Sequence, residues 1–379
     1  MDYIPYGHQM IDQTDIDAVV KVLKSDFLTT GSCVPAFEDA ICSYTGNRHA
    51  VAVNSGTSAL DIAIQVLDFP KGSEVITTPF TFAATSNAAL YHGLIPVFAD
   101  IERESRNIDP DQIRRKITPK TKAILFVDYA GQPCRIDEIR EIADEYDLRL
   151  VEDACHAFGA SYHGKKIGTL ADMTVFSFHP VKPITTGEGG AVVTDNEEYA
   201  GKLRLLRSHG IDRNACDRFG PDAQWAYDMV ELGRNYRMTD IQAALGISQM
   251  KKIDLFIGKR NGLARHYQKL LEHVPFIDTP MTLDGMVHGW HIYTVLLKNM
   301  DRNRFFSYMR KNNIGVNVHY IPTYRLRYYQ KNVPVNPSDF PVTEDVFNRI
   351  ITLPLYPGLS GHELAYITDT IKAAGKIIS

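Results

Sequence analysis

Short runs of β-branched residues alternate with helix-like patterns through the first 208 residues of this chain. This alternation favours a mostly parallel sheet with helices on both faces, because parallel strands need long crossover connections. The predicted strands are residues 49–53, 74–77, 95–99, 123–127, 149–152, 174–178 and 191–194. The predicted helices are residues 58–66, 83–92, 110–116, 136–146 and 197–208. We therefore predict an α/β fold whose ligands bind at the carboxyl ends of the strands.

The pattern changes after residue 210. Residues 210–235 are rich in Asp, Arg, Gly and aromatics, and we interpret them as a functional loop or, alternatively, a disordered surface loop. One long helix is predicted from the N-cap Thr239 to about Tyr267. Strands at 291–297 and 315–319 and helices at 302–311 and 361–374 then describe a smaller α+β unit. We predict two domains, residues 1–255 and 256–379.

Composition excludes several classes of function. A net charge of -4 provides no basic field for nucleic acid or for a membrane surface. The five cysteines lack CxxC spacing and are interpreted as reduced thiols of a cytoplasmic protein: Cys33, Cys42, Cys134, Cys155 and Cys216. The first residues do not resemble a signal peptide, and no apolar run is long enough to cross a bilayer. The histidines are scattered, so we expect no metal site.

Two charged residues follow neighbouring strand patterns. Asp153 ends an apolar run, and Lys182 lies in a turn rich in Ser, His, Pro, Thr and Gly before the strand at 191–194. A lysine amine that forms a Schiff base, with an acid that holds a pyridinium nitrogen, is what a protein contributes to pyridoxal phosphate (PLP) chemistry. The pair therefore predicts a PLP enzyme, although each residue alone is more often a surface charge or a helix cap.

A phosphate site is predicted where the first strand meets a helix. Asn54-Ser55-Gly56-Thr57-Ser58 opens that helix, where backbone N–H groups and hydroxyls suit an anion. Phe82 is placed to stack on a flat ring, with a buried core position as the equal alternative.

These motifs resemble the fold-type I PLP enzymes and, more narrowly, the DegT-type sugar-nucleotide aminotransferases. The resemblance runs nearly from end to end. Its most specific blocks are the lysine block at 176–194, the block from Gly233 to Ala244 (Gly233-Arg234-Asn235-Tyr236-Arg237-Met238-Thr239-Asp240-Ile241-Gln242-Ala243-Ala244) and Val318-His319-Tyr320-Ile321-Pro322. It implies a large PLP-binding domain, a smaller C-terminal domain, and a homodimer with shared active sites.

The resemblance also implies roles for individual residues. Lys182 would bind PLP covalently and move protons, and Asp153 would pair with the pyridinium nitrogen. His156 would lie near the ring hydroxyl, where related chains often have Gln. Phosphate ligands would be Gly56, Thr57, Ser177 and, from the partner subunit, Asn235. The sugar-nucleotide site would include Tyr6, Asp26, Phe27, Leu28, Thr29, Val318, His319, Tyr320 and Ile321.

The lysine block bears on the substrate. His179-Pro180-Val181-Lys182 resembles the branch that makes UDP-4-amino-4,6-dideoxy-N-acetyl-β-L-altrosamine, an early step toward pseudaminic acid. We therefore expect a UDP-linked 4-keto-6-deoxy-N-acetylhexosamine as acceptor, L-glutamate as donor, and Arg325 and Arg327 as candidates for the diphosphate. Alternatives are a dTDP- or GDP-linked or bacillosamine-type 4-keto sugar, a PLP-dependent sugar dehydratase, and a non-catalytic sensory protein. The lysine argues against the last two.

Overall fold

A computed structural model describes residues 1–212 and 225–378 of the chain. The first nine strands are β1 (His49–Val53), β2 (Glu74–Thr77), β3 (Ile95–Phe98), β4 (Thr121–Val127), β5 (Arg149–Asp153), β6 (Ser161–Tyr162), β7 (Lys165–Lys166), β8 (Met173–Ser177) and β9 (Gly190–Thr194). Seven of them form one sheet in the order β1-β9-β8-β5-β4-β2-β3. Only β9 is antiparallel to its neighbours in that sheet. The predicted mostly parallel sheet is confirmed, with strand ends shifted by one or two residues.

Helices cover both faces of this sheet. They are α1 (Gln13–Leu23), α2 (Cys33–Thr45), α3 (Gly56–Gln65), α4 (Ala83–Tyr91), α5 (Pro110–Lys116), α6 (Ile136–Glu145) and α7 (Glu197–Arg207). Successive residues of β4 point to opposite faces, so Ile124 packs in the core cluster of α6 and Leu125 in that of α3. Each such buried side chain contributes about 1.5–3 kcal/mol, which makes these two layers the main support of the site.

The predicted long helix after Thr239 is wrong as a single element. The structure has α8 (Asp240–Met250) and α9 (Ile253–Leu271), separated at Lys251 and Lys252. Thr239 does cap α8, accepting from the backbone N–H of Gln242 at 3.2 Å. The break brings the Lys252 ammonium within 2.8 Å of carboxylates of both Asp12 and Asp15. These two tertiary ion pairs, which the local pattern cannot show, lie at the break between α8 and α9.

The rest of the chain forms smaller sheets. Its strands are β10 (Ile211–Asp212), β11 (Asp228–Met229), β12 (Ile277–Asp278), β13 (Met286–Val287), β14 (Tyr293–Leu297) and β15 (Ile350–Leu353), and its helices are α10 (Arg302–Lys311), α11 (Arg327–Asn332), α12 (Pro341–Arg349) and α13 (Gly361–Ile377). β12, β14 and β15 form an antiparallel sheet with its own apolar core. β13 instead pairs with β6 near the large sheet.

One predicted strand in this region, residues 315–319, is not formed. Ile314 makes an isolated bridge to Ile4, and Asn317 makes one to Thr352. The segment therefore lies between two different partners and does not join one ladder.

Among the described residues, none of the helices has the length and apolarity needed to cross a membrane. Cys33, Cys42, Cys134 and Cys155 are free thiols. Cys216 and residues 213–224 of the predicted functional loop lie outside the described residues.

Candidate active site

A cavity of about 410 Å³ opens at the carboxyl edge of the large sheet. Parallel strands deliver their last residues to the same edge, so Asp153 at the end of β5 and Ser177 at the end of β8 both line it. The N-terminus of α3 forms another wall, and segments near residues 291 and 320 close it from the C-terminal part of the chain. Ten predicted site residues line this cavity: Tyr6, Gly56, Thr57, Phe82, Asp153, His156, Ser177, Lys182, His319 and Tyr320.

Lys182 and Asp153 share this cavity. Lys182 follows β8 in a tight turn, where its backbone N–H donates to the carbonyl of His179 at 2.9 Å. Burial lowers the pKa of the Lys182 ammonium, and the nearby thiol of Cys155 and the carboxylate of Asp153 partly oppose this. A lysine with a lowered pKa has a larger fraction of neutral, nucleophilic amine.

The carboxylate of Asp153 is held from two sides. Its Oδ2 accepts from the hydroxyl of Thr85 at 2.7 Å, and its Oδ1 accepts from the backbone N–H of Cys155 at 3.2 Å. Asp153 and Thr85 are both almost fully buried. A buried carboxylate with fixed orientation can pair with a cationic ring nitrogen without reorganising.

His156 lies beside this pair as a neutral imidazole. Burial lowers the pKa of His156 well below its usual value, and Lys182 and His319 lower it further. Its Nδ1 accepts from the backbone N–H of Ala130 at 3.2 Å. The ring proton is therefore on Nε2, which lies 3.0 Å from the hydroxyl of Tyr320 and donates to it. Tyr320 keeps its own hydroxyl proton for a further acceptor.

The start of α3 forms an anion cradle. Ser55 caps the helix by accepting from the backbone N–H of Ser58 at 3.0 Å. A Cβ added to Gly56 would lie 2.8 Å from Cβ of Ser177 and 3.2 Å from the sulfur of Cys155. The position therefore accepts only glycine, and the backbone is left open to a phosphate at the positive end of the helix. Thr57 and Ser177 add hydroxyls to the same wall.

An exposed aromatic ring forms the wall near the C-terminal part of the chain. Phe82 is 60% exposed although it precedes a well-packed helix, and its ring centroid lies 6.1 Å from that of Tyr320. An apolar ring left open to a cavity is suited to stacking on a planar group.

His319 and Tyr6 pack together at the mouth of the cavity, with ring centroids 5.2 Å apart. Nε2 of His319 accepts from the amide of Asn317 at 3.2 Å, and its Nδ1 donates to the hydroxyl of Thr352 at 2.8 Å. Burial, with a smaller effect of Lys182, lowers the pKa of His319 to about 4. Both ring nitrogens are thus engaged, so the imidazole shapes the mouth through its ring face.

The remaining predicted site residues are not brought to this cavity within the single chain. They are Asp26, Phe27, Leu28, Thr29, Asn235, Val318 and Ile321. Thr29 lines a separate cavity of about 690 Å³ beside α7. Phe27 is 62% exposed, and Asn235 is exposed and pairs through its backbone with Ser208. The guanidinium of Arg325 is bound to the carboxylate of Glu344. Their predicted roles stay predictions.

Sequence reasoning missed two residues of the site. Thr85 lies on α4, far along the chain from the carboxylate that it binds. His291 is buried at the cavity, and its Nδ1 donates to the carbonyl of Val181 at 3.1 Å, next to Lys182. The position of Thr85 inside the Thr-rich start of a helix was the only local signal, and His291 had none.

Comparison with known proteins agrees with this geometry. The model of the DegT/DnrJ/EryC1/StrS aminotransferase family matches residues 9–372. An uncharacterized protein of Methanocaldococcus jannaschii, MJ1066, is 42% identical over 100% of this chain and 98% of its own length. The UDP-4-amino-4,6-dideoxy-N-acetyl-beta-L-altrosamine transaminase of Campylobacter jejuni is 40% identical over 97% of this chain and 96% of its own.

Solved structures show the same fold. Helicobacter pylori PseC, described as an aminotransferase involved in the biosynthesis of pseudoaminic acid, matches with a TM-score of 0.92 and 33% identity over the whole of both chains. The PLP form of Spr1654, a putative sugar aminotransferase from Streptococcus pneumoniae, matches with a TM-score of 0.93 and 30% identity, covering 100% of each chain.

Fold and site together define a fold-type I, PLP-dependent transferase. Within that class, the chain belongs to the DegT/DnrJ/EryC1/StrS aminotransferase family and is a PLP-dependent sugar-nucleotide aminotransferase. The cavity fits the cofactor, because it combines a glycine-only anion cradle, a half-buried lysine with a lowered pKa and a buried, oriented carboxylate.

Proposed function

We propose that this enzyme transfers the amino group of L-glutamate to C4 of a UDP-linked 4-keto-6-deoxy-N-acetylhexosamine, in a pathway of the pseudaminic acid type. The observation that carries the catalytic part is the shared cavity of Lys182 and Asp153 at the carboxyl edge of the sheet. The substrate part is supported by the His179-Pro180-Val181-Lys182 block and by the likeness to the Campylobacter jejuni and Helicobacter pylori enzymes.

Each catalytic residue has a proposed task. Bound PLP supplies an electron sink for the negative charge that develops at the donor Cα. Asp153 keeps the ring nitrogen protonated by charge pairing. Lys182 binds the cofactor covalently and, as a neutral amine, takes the proton from the donor Cα and returns one to the product carbon. Its burial favours the neutral amine that this task needs.

Cofactor binding is assigned to the residues that surround the lysine. Gly56, Thr57 and Ser177 hold the phosphate at the start of α3. Phe82 stacks on the ring, and His156 lies at the ring hydroxyl, oriented by Ala130 and Tyr320. In a homodimer, Asn235 contacts the phosphate of the PLP that is bound in the partner subunit. Its exposed position in the single chain is consistent with this role.

We assign sugar recognition to two segments. Asp26, Phe27, Leu28 and Thr29 form the first, and Val318, His319, Tyr320 and Ile321 form the second, with Tyr6 packed against His319. Recognition is expected to be polar, because an unpaired hydroxyl or carbonyl in a closed site disfavours the wrong epimer by a few kcal/mol. We also propose that residues 1–255 and 256–379 act as the large and small domains of this enzyme.

A panel of 4-keto sugar nucleotides tests the substrate. The specificity constant is measured for the L-arabino and D-xylo epimers of the UDP-linked N-acetyl-4-keto sugar and for dTDP- and GDP-linked 4-keto sugars, all with L-glutamate. The proposal expects preference for the L-arabino epimer. Preference for the D-xylo epimer would place the enzyme in the bacillosamine-type branch, and preference for a dTDP or GDP sugar would overturn the nucleotide assignment.

The amino donor is tested separately by absorbance. L-Glutamate alone is expected to convert the bound cofactor to its amine form and to release 2-oxoglutarate, as the first half of a ping-pong reaction. Conversion by L-glutamine but not by L-glutamate would contradict the donor assignment while leaving the acceptor assignment intact.

A further inference from the structure

Two carboxyl side chains lie buried behind the active site. Glu152 precedes Asp153 on β5, so the two side chains point to opposite faces of the sheet. Asp128 directly follows β4, whose last residue, Val127, pairs with Asp153. Both Asp128 and Glu152 are fully buried, and neither lines the active-site cavity.

Only two of the four carboxyl oxygens of Asp128 and Glu152 accept a hydrogen bond from the described residues. Oδ1 of Asp128 accepts from the backbone N–H of Cys134 at 2.9 Å, and Oε2 of Glu152 accepts from the hydroxyl of Thr174 at 2.7 Å. Among the described residues, Oδ2 of Asp128 and Oε1 of Glu152 have no donor. Glu152 pairs with Phe126, two residues before Asp128, so the carboxyl side chains of Asp128 and Glu152 lie on the same face of the sheet at neighbouring strands.

One proton explains both orphaned oxygens. Two buried carboxylates on adjacent strands disfavour double ionisation, whereas a carboxylic acid donating to a carboxylate satisfies both groups. Burial raises the pKa of both side chains and raises that of Glu152 well above its usual value. The titratable neighbours are Asp153, whose charge adds to these rises, and the thiol of Cys134, whose own pKa is raised well above its usual value by burial. Asp128 is assigned as the carboxylate because its Oδ1 accepts from a backbone N–H, which favours the ionised form. Glu152 is assigned as the acid because its Oε2 meets only the hydroxyl of Thr174, which also lies 3.1 Å from the carbonyl of Gly168.

The pair is connected to Asp153 through the main chain. The backbone N–H of Asp128 donates to the carbonyl of Asp153 at 3.2 Å, and Glu152 is its neighbour on the strand. We infer that Asp128 and Glu152 share one proton and act as positioning residues for Asp153, holding its main chain and adding one negative charge behind the cofactor's ring nitrogen. The last part of this inference rests on the proposed role of Asp153.

The shared proton is tested on the protein without cofactor. Infrared difference spectra at neutral pH compare wild type with Glu152→Gln, which keeps a hydrogen-bond donor toward Asp128. The expected result is a carbonyl stretch of a protonated carboxylic acid in wild type that is lost in Glu152→Gln. Glu141→Gln, at an exposed position of α6, is the matched control and is expected to remove only an ionised carboxylate band. The absence of a protonated-acid band in wild type would overturn the inference.

The charge is tested by cofactor affinity and by pH titration of the bound cofactor's visible absorbance. Asp128→Asn removes the negative charge and is expected to weaken PLP binding by about tenfold and to shift the titration midpoint, whereas Glu152→Gln changes affinity by less than about twofold. If PLP binding weakens equally in both variants, or if the titration midpoint is unchanged in Asp128→Asn, the pair has only a structural role and no electrostatic effect on the cofactor. If Asp128→Asn does not fold, the infrared comparison of wild type with Glu152→Gln decides whether the pair shares a proton.

The proposed role of Asp153 is tested separately. If Asp153 does not pair with the cofactor, Asp153→Asn leaves PLP affinity unchanged, while the infrared result for the shared proton still holds.

Discussion

The hydroxyl of Thr85 on α4 donates a 2.7 Å hydrogen bond to Oδ2 of Asp153, the last residue of β5. This bond crosses from a helix to the sheet and fixes the orientation of the carboxylate that faces the cavity. It means that the proposed pyridinium partner is oriented by a residue outside its own motif.

Asp153→Asn is expected to keep the fold and to lower kcat by at least about a hundredfold, because a neutral amide cannot keep the ring nitrogen protonated. Thr85→Val, which removes only the orienting hydroxyl, is expected to cost about tenfold. Steady-state kinetics with the preferred sugar nucleotide, with circular dichroism as the fold control, measure both effects. A near-wild-type rate in Asp153→Asn would mean that another residue pairs with the ring nitrogen.

Gly56→Ala is expected to weaken PLP binding by more than about tenfold, because its new Cβ would lie 2.8 Å from Cβ of Ser177 at the phosphate cradle. Gly258→Ala is the matched control on α9, where an added Cβ meets nothing within 4 Å. That control is expected to raise stability slightly through helix propensity, by up to about 1 kcal/mol. Equilibrium dialysis with PLP and thermal unfolding compare the two variants. Equal PLP affinity in the two variants would show that Gly56 is not part of the phosphate site.

Acid is expected to destabilise the fold partly through His319. Its folded-state pKa of about 4 lies below the ordinary 6.5, so the unfolded chain binds a proton more tightly. The stabilisation by the neutral imidazole is therefore complete above pH 6.5 and is lost as the pH falls toward 4. Between about pH 7.5 and 5 this amounts to about 2 kcal/mol.

Urea unfolding of wild type and His319→Gln at those two pH values measures this contribution. The loss of unfolding free energy between about pH 7.5 and 5 should be smaller in the variant than in wild type. It should not vanish, because burial also lowers the pKa values of His156 and His291, which still destabilise the fold in acid. An unchanged pH dependence in His319→Gln would show that His319 titrates normally in the folded protein.

Subunit complementation tests the proposed homodimer. Lys182→Ala and Asn235→Ala are each expected to be inactive or nearly so, and a mixture of the two should regain activity, because one hybrid site contains both wild-type residues. Sizing chromatography should show at least a dimer of 42.6 kDa chains. A monomer together with no recovered activity would place Asn235 in the site of its own subunit.

The sequence predicts the large sheet well because each strand carries a local signal. β1, β2 and β4 are short, mostly buried runs rich in apolar and β-branched residues. α3 has a serine N-cap, and α6 has a strongly amphipathic pattern. The secondary-structure predictions fail where contacts with residues distant in the sequence determine the local structure. Residues 315–319 are divided between Ile4 and Thr352, and the helix after Thr239 is interrupted where Lys252 meets Asp12. Neither partner is visible in a local window.

The site shows the same division. Lys182, Asp153 and Gly56 are recognisable because each lies at or shortly after the end of a strand, in a motif of turn-forming or acidic residues. Thr85 and His291 are not, because their contacts to Asp153 and to Val181 exist only after the chain has folded. Motif residues were thus predictable, and the residues that orient them were not.

The central claim is that Lys182 is the residue to which the cofactor is covalently attached. Borohydride reduction of the PLP-loaded enzyme makes a lysine–cofactor bond permanent, and peptide mass spectrometry then locates it. We expect one modified peptide in the wild-type enzyme, carrying the cofactor on Lys182, and no modification in Lys182→Ala. Modification of another lysine, or no modification of the wild-type enzyme, would contradict the account.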